Sequence, residues 1–559
     1  MTQRNVATWL SASTEKFPDR RAVIMDLGGR TKTSSPGGAQ KTCSTWTFAE
    51  LNGTVDALAR GMRSYGLSKG DRALLMIRPG YEFIAVTFAL LKLGVVPVFI
   101  DPGMGLKALK QCIQEVRPSA FIAVPIAFVF PLLFPGAFRS VGKKIVVGGS
   151  VAAAVTGGRC LAGLSCPAEE SFAAAAVDTG DEAIIAFTSG STGIPKGVVF
   201  THPMLEALLG ILRDEIGIRE KEIDLPGLPI FALFNPALGV TTVIPDMDPS
   251  RAIKADPARL VKQILTHGVT TTFGSPTIWK KVAAHCLEHD IRLPGIKRIL
   301  MAGAPVPHDL LKKFKTILSH GSVLTPYGAT EAIALTAITG DEILREAEPG
   351  GYPDRGVCVG KPLGKNRLYI IAITDGPILA WNDATVLPPG EVGEIVARGP
   401  LVTHVYLNRP VETGHAKIYD GKDVLHRMGD LGYMDEKGRL WFCGRKSHRV
   451  VTPEGMMMTV PCEAVFNRHP AVARTALVGL GAKGSQLPLL VVEIKPGTKV
   501  HKRDVLSELL ELGARHEHTK RIKHILFHPR FPVDVRHNAK IQREKLQDWA
   551  GTKLRGAVL

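Results

Sequence analysis

The run FTSGSTGIPKGVVFTH, residues 187–202, concentrates groups that can hold a polyphosphate. Thr188, Ser189, Gly190, Ser191, Thr192 and Gly193 stand between two apolar runs, 184–187 and 198–200, with Lys196 and Gly197 leading into the second. Glycines let a backbone turn tightly and bring its N–H groups against a ligand. Hydroxyls add donors and a lysine adds a mobile cation, a set that suits a triphosphate. The run is not the phosphate loop GxxxxGK[ST]: Gly197-Val198 follow Lys196 where that motif needs Gly before Lys and Ser or Thr after it. An isolated SGSTG reads as a flexible turn. The longer pattern, lysine included, reads as nucleotide binding.

Four further segments have side chains that suit the same ligand. AGAP, residues 302–305, follows an apolar run, and the small Gly303, Ala304 and Pro305 leave room for a flat purine. YGATEA, residues 327–332, follows the next run, where ligands of open α/β sheets bind. There Tyr327 can stack on a base beside Gly328, Thr330 can hold phosphate or metal, and Glu331 is a hard oxygen ligand for Mg2+. In MGDLGYMDEKGRLWFCGRK, residues 428–446, Asp430 is a natural acceptor for a ribose diol, and Arg445 can bond ribose or phosphate oxygens. Lys540, in HNAKIQREKL, is a mobile cation for charge developing on phosphate. Taken singly, Asp430 also reads as a turn cap, Glu331 as a helix start and Lys540 as surface. Their joint occurrence in this order carries the weight.

The elements that must position these groups alternate helix and strand. Leu51, Val55, Leu58 and Met62 recur at helical spacing, residues 72–77 read as a strand, 83–93 as a helix ended by Gly94, and 95–100 as a β-rich run. The rhythm resumes with helices at 258–267, 278–289 and 310–318 and strands at 269–273, 296–301 and 323–326. Such alternation predicts parallel sheets covered by helices, an α/β fold. Residues 147–180 read as a surface excursion. Beyond about residue 350 short β-rich runs with Gly/Pro turns take over, and 446–559 forms a compact segment with its own strands (475–478, 489–494) and a helix (505–512).

With 559 residues, 45% of them hydrophobic, the chain can bury a large core and should divide into domains. Eight cysteines without a CxxC pair predict neither a disulfide framework nor a zinc site, which fits a reducing cytoplasm. The first residues lack the apolar core of a signal peptide. A net charge of +17, much of it near the C-terminus, suits nucleic acid, an anionic membrane or an acidic ligand. Sparse aromatics and the lack of a recognition motif argue against nucleic acid. The stretch AFIAVPIAFVFPLLFPGAF, residues 120–138, is long enough to span a bilayer, but Pro125, Pro131 and Pro135 would break a helix. It is expected to be a buried strand followed by an apolar loop or short helix, with peripheral membrane contact open.

Over essentially its whole length the chain resembles the adenylate-forming superfamily of acyl-CoA synthetases, luciferases and peptide-synthetase adenylation domains. The resemblance implies a large N-terminal domain (1–445) of two αβ subdomains plus a β-rich one, and a small, mobile α+β lid (446–559). It implies ATP and Mg2+ as cofactors. Residues 188–196 would grip the β- and γ-phosphates, 302–305 and Tyr327 would frame adenine, and Thr330 and Glu331 would serve the α-phosphate and Mg2+. Asp430 would bind ribose, Arg445 ribose or phosphate, and Lys540 the substrate carboxylate and α-phosphate.

Three departures set the chain apart from thioester-forming members. Ser447 stands where an aspartate usually marks the hinge, Met456, Met457 and Met458 replace a polar turn, and Ala232 replaces a histidine that commonly gates the acyl site. With IDPGMG (100–105), DLPGLPIFALFNPALG (224–239) and WFCGRKSHRV (441–450), the chain looks most like the olefin-biosynthesis branch. That resemblance implies adenylation of a long-chain 2-alkyl-3-hydroxy acid and closure to a β-lactone by the substrate's own hydroxyl, with a partner enzyme consuming the product. His448 is a conceivable base for closure. The alternatives are a long-chain fatty acyl-CoA ligase and a non-catalytic nucleotide-binding subunit of a multi-enzyme assembly.

Overall fold

The computed structural model describes residues 4–26, 43–188, 195–346, 355–533 and 541–557. Two large sheets dominate it. The first has seven strands in the order Arg159–Cys160, Lys143–Val146, Ala120–Ala123, Arg72–Met76, Val96–Phe99, Glu182–Thr188, Lys196–Thr201. All neighbours are parallel except the last pair, which is antiparallel. Parallel strands discharge their connections at one edge, so the chain after Met76, Phe99, Ala123, Val146 and Thr188 emerges on the same side.

The second sheet has fourteen strands and changes character at one of them. Ser322–Ala329 lies parallel to Arg298–Met301 on one flank and antiparallel to Ala332–Thr339 on the other. Beyond it on the parallel side come Thr271–Gly274, Ile223–Pro226, Thr241–Ile244 and Arg21–Asp26. On the antiparallel side lie Val357–Pro362, Leu440–Arg445, Asp423–Met434, Gly393–Arg398 and Arg367–Ile371. The expected strand at 323–326 is thus longer, and Tyr327, Gly328 and Ala329 are part of it rather than a loop after it.

Helices Phe48–Ser64, Tyr81–Leu93 and His202–Asp214 share one core with strands of both sheets. Thr47 and Glu50 close a reciprocal capping box at the first of them. In the second, every residue but Glu82 is buried, and Gly94 ends it at φ 74°, where a side chain would be strained. That helix is apolar on nearly every side because it is covered on nearly every side, and its buried Lys92 is paired with Asp56.

After Lys446 the described strands form sheets of their own: a hairpin, Val450–Thr452 with Gly455–Met457, and a three-stranded sheet of Val472–Leu480, Leu487–Ile494 and His524–Phe527. Helices Thr459–Phe466, Lys502–Ala514 and Arg543–Ala557 complete this part, whose side chains form separate clusters. The methionine run covers the second strand of the hairpin and the residue after it, with Met457 buried. In the stretch 120–138, the strand Ala120–Ala123 runs into a 3-10 turn Pro125–Phe128 and a short helix Val129–Leu133, as the prolines require. Residues 147–180 hold the short helices Ser150–Thr156 and Leu161–Leu164. Among the described residues no helix is long and apolar enough to cross a membrane.

Where the β-rich strands meet the C-terminal part, Glu394 is buried and accepts from two cations. Arg427 donates at 2.6 Å and Lys446 at 2.9 Å to both oxygens. Arg427 and Lys446 also donate to the carbonyl of Thr374. Removing the carboxylate charge would leave buried Arg427 and half-buried Lys446 undercompensated. Glu394→Gln is expected to cost about 3–5 kcal/mol in urea denaturation. Lys16→Ala, in the exposed pair with Glu220, is expected to cost at most about 1 kcal/mol.

Candidate functional site

Separated segments converge through three side-chain hydroxyls and two carboxylates, Glu331 and Asp430. Thr188 and Lys196 face each other across the antiparallel pair that carries the Ser/Gly run. The Lys196 ammonium stands 4.4 Å from the ring centroid of Tyr406, and Val198 bridges to the Tyr406 backbone. The Tyr406 hydroxyl donates to Glu331 Oε1 at 2.7 Å. Glu331 and Thr330 are the two turn residues between Ala329 and Ala332, which pair. Thr403 holds that turn, its N–H and Oγ1 both donating to the Glu331 carbonyl at 2.9 and 3.1 Å. Lys196 and Glu331 are thereby set around one aromatic ring.

The same hairpin reaches the second group. Tyr327 donates its hydroxyl to Asp430 Oδ2 at 2.7 Å, and Arg445 contacts Asp430 Oδ1 at 2.9 Å. Asp430 and Arg445 are register partners in adjacent strands, so the pair is built into the sheet. Burial and the facing Asp430 carboxylate push the Tyr327 hydroxyl well above its ordinary range, so it stays a donor. Asp430 also raises the Arg445 guanidinium. Gly328 lies between the groups with no room for a side chain, since a Cβ there would meet the Ala332 carbonyl at 2.5 Å.

Residues 302–305 leave the strand Arg298–Met301, whose Leu300 is opposite Leu324, so they emerge beside Tyr327. Gly303 adopts φ 92° in that turn, and Ala304 is half-buried between exposed Gly303 and Pro305. Thr188 Oγ1 is buried and has no hydrogen-bond partner among the described residues, an acceptor-seeking hydroxyl at the mouth of the loop. Ser189, Gly190, Ser191, Thr192, Gly193 and Lys540 lie outside the described residues. No group of three or more His, Cys, Asp or Glu among the described residues could hold a metal. Glu331 alone suits Mg2+, which is commonly held by one or two carboxylates with phosphate and water completing the shell.

A scan of protein families matches residues 10–407 to the model described as "AMP-binding enzyme". The chain belongs to the AMP-binding enzyme family. It is 43% identical over 564 residues to the olefin beta-lactone synthetase of Stenotrophomonas maltophilia, covering 98% of each chain. The enzyme of the same name from Xanthomonas campestris pv. campestris is also 43% identical, over 98% of this chain and 97% of its own. Among solved structures, the amide bond synthetase McbA from Marinactinospora thermotolerans superposes with a TM-score of 0.77 at 20% identity, covering 97% and 99% of the two chains. The O-succinylbenzoate coenzyme A synthetase of Bacillus subtilis, in complex with ATP and magnesium ion, gives 0.73 at 22%, covering 98% and 100%. Both share the fold.

In this AMP-binding enzyme several site groups were invisible to sequence reasoning. Tyr406 and Thr403 lie in THVYLNRP, a segment with no pattern of its own. Lys417 is fully buried, donates to Thr403 Oγ1 at 3.2 Å, and lies 5.7 Å from the Tyr406 ring. Burial pushes its ammonium down to about 7, against the pull of Glu331. His448 occupies the turn Lys446–His448 and shares a hydrogen bond with Glu544 at 3.2 Å. Burial and the neighbouring Arg543 push it down to about 4, which leaves a weak proton acceptor at neutral pH.

The segment 224–239 is anchored by a buried acid. Asn235 donates to Asp224 Oδ2 at 2.8 Å, while Phe231 stacks on Phe273 with centroids 3.8 Å apart. Ala232, at the position of the gating histidine, is buried in the central core. Burial raises the Asp224 carboxyl to about 7. The folded chain therefore holds a proton that the unfolded chain releases near pH 4, so this group's contribution to stability falls as pH rises from about 4 to 7 and stays lost above it. Asp224→Asn keeps a hydrogen-bonding amide and escapes that titration. Thermal denaturation should find the variant close to wild type at pH 4 and more stable at pH 8, by up to about 4 kcal/mol.

Proposed function

We propose that this enzyme adenylates a long-chain 2-alkyl-3-hydroxy fatty acid and closes the acyl-adenylate to a β-lactone, releasing pyrophosphate and AMP, in long-chain olefin biosynthesis. The observation that carries the reading is the 43% identity, over nearly the whole of both chains, to two enzymes named olefin beta-lactone synthetase. In the first step a carboxylate oxygen attacks the α-phosphorus of ATP and pyrophosphate leaves. In the second the β-hydroxyl oxygen attacks the acyl carbon, the carbon–oxygen bond to phosphate breaks, and AMP departs while the hydroxyl proton passes to an acceptor. An intramolecular nucleophile has high effective molarity and needs no thiol, which makes the departures at Ser447, Met456–Met458 and Ala232 intelligible.

Residue roles follow from chemistry and position. Thr188, whose buried hydroxyl has no partner among the described residues, Ser189, Gly190, Ser191, Thr192, Gly193 and Lys196 would hold the β- and γ-phosphates. Gly303, Ala304, Pro305, Tyr327 and Gly328 would frame adenine, while Asp430 and Arg445 would take the ribose and adjoining phosphate oxygens. Mg2+, when bound, would neutralise phosphate charge as the bond to pyrophosphate breaks, with Glu331 its protein ligand and Thr330 beside it. Tyr406 and Thr403 keep the Glu331 carboxylate and its turn in place. Residues 446–559 would act as a lid on 1–445, bringing Lys540 to the α-phosphate. In the cell the chain would work in the cytoplasm, alongside the enzyme that consumes the lactone.

NMR product analysis tests the reaction. Protein incubated with ATP, Mg2+ and a synthetic 2-alkyl-3-hydroxy acid should yield β-lactone and AMP whether or not coenzyme A is present. Acyl-CoA formed only with coenzyme A would make it a fatty acyl-CoA ligase, and no acid-dependent pyrophosphate release would make it a non-catalytic subunit. For Lys540→Ala, pyrophosphate release should fall roughly 100-fold or more, with ATP binding by calorimetry retained. Normal adenylation by that variant would remove Lys540 from the site.

A further inference from the structure

The stretch 120–138 buries only part of its apolar side chains. Ile126 is 75% and Leu132 80% exposed, and Val129 and Leu133 are exposed with them. The helix Ser150–Thr156 packs against the turn Pro125–Phe128, where Gly148 sits against the Pro125 ring. It adds Val151 and Val155, 77% and 83% exposed. Leu106, at the start of the helix Leu106–Val116, is exposed as well. Leu109, Ile113, Phe128 and Ala153 share one core cluster, so these three elements lie on one face of the seven-stranded sheet. Because the short helix Val129–Leu133 and the helix Ser150–Thr156 both pack on the turn Pro125–Phe128, the outward side chains of these two helices and the turn lie together, more apolar surface than isolated leucines would make.

The charge around this surface is one-sided. Between residues 102 and 142 the chain carries Lys107, Lys110, Arg117 and Arg139 against a single acid, Glu115; Lys143 and Arg159, further on, lie over the Tyr65 ring on the other face of the sheet. Glu115 is already neutralised, since Arg409 donates to its carboxylate at 2.7 and 3.0 Å. On the exposed side of the helix Leu106–Val116, Lys107 and Lys110 follow Leu106 directly. Short apolar elements with a basic surround are the arrangement by which a protein lies on a bilayer, side chains entering the acyl boundary while lysines and arginines meet phosphates.

We infer that the face made by Ile126, Val129, Leu132, Leu133, Val151 and Val155 docks peripherally on a lipid bilayer bearing anionic headgroups. The surface is at the edge where Ala123 and Val146 discharge their connections, the edge that also carries Thr188. Docking therefore sets the mouth of the phosphate loop toward the membrane side of the molecule. The inference stands on exposure and charge alone and is independent of the substrate assigned above.

Co-sedimentation with vesicles tests it. The full chain should pellet with phosphatidylcholine–phosphatidylglycerol vesicles, pellet less with pure phosphatidylcholine, and be released by salt. Leu132→Ser/Leu133→Ser/Val155→Ser should reduce partitioning roughly tenfold or more, with the circular dichroism spectrum and ATP binding unchanged. Lys107→Gln/Lys110→Gln should weaken binding only to the anionic vesicles. The inference is overturned if wild type stays in the supernatant with both vesicle types, or if the serine variant pellets as wild type does. It is equally overturned if the serine substitutions instead dissociate an oligomer in sedimentation velocity, which would make the face a protein contact.

Discussion

The polar groups where the large sheet changes from parallel to antiparallel pairing depend on one buried carboxylate. Asp430 is held on one side by the Tyr327 hydroxyl and on the other by the Arg445 guanidinium. A carboxylate in that setting needs both partners, because burial without them would favour its protonation. The strands that supply the three groups belong to one continuous sheet, so the interaction also sets the lateral position of the β-rich strands against the parallel ones. Tyr327 belongs to the strand where the sheet changes from parallel to antiparallel pairing, and immediately beyond its end the chain turns at Thr330 and Glu331. One hairpin thus serves two groups of polar residues at once.

The other sheet contributes its edge. A parallel arrangement collects the connections after Met76, Phe99, Ala123, Val146 and Thr188 at one rim, and this brings a loop rich in hydroxyls and glycine near an apolar, basic surface. The contact between Lys196 and Tyr406 ties that sheet to the hairpin carrying Glu331. Cation–π contact and a carboxylate beyond the ring keep the lysine where an incoming anion would meet it. Lys417, fully buried behind the same ring, adds a second positive group whose charge is costly there without an anion.

The C-terminal part is joined by polar contacts. Besides Lys446 on Glu394, Arg449 and Lys483 both bind Asp375, and together they hold its carboxyl down at about 2. Most of its apolar side chains cluster among themselves, with Met458 packing on the large sheet beside Tyr433 and Trp441. Ion pairs and hydrogen bonds can be re-formed with other charged or polar partners, whereas a shared apolar core can only be exposed to water. That difference is what a part able to change position would need.

Local pattern alone determined much of this. Helical spacing at Leu51, Val55, Leu58 and Met62 marks a real helix, alternating apolar runs mark the parallel strands, and prolines at 125, 131 and 135 exclude a membrane span. Residue types within short windows also single out Thr188, Lys196, Tyr327, Thr330, Glu331, Asp430 and Arg445, because chemistry that needs neighbouring groups leaves them close in the chain. Only the tertiary structure decided which of those windows meet. Tyr406 and Thr403 carry no signal in their own segment, since each acts on Glu331, more than seventy positions away, and Lys417 acts on that same pair of residues. The Asp224–Asn235 pair depends on burial, which no local window reports. Strand length at 322–329 was underestimated because Gly328 argues for a loop by propensity, and pairing on both flanks overrides it. Sequence specifies composition, periodicity and reactive groups; distance between remote groups and the dielectric around them exist only once the chain is packed.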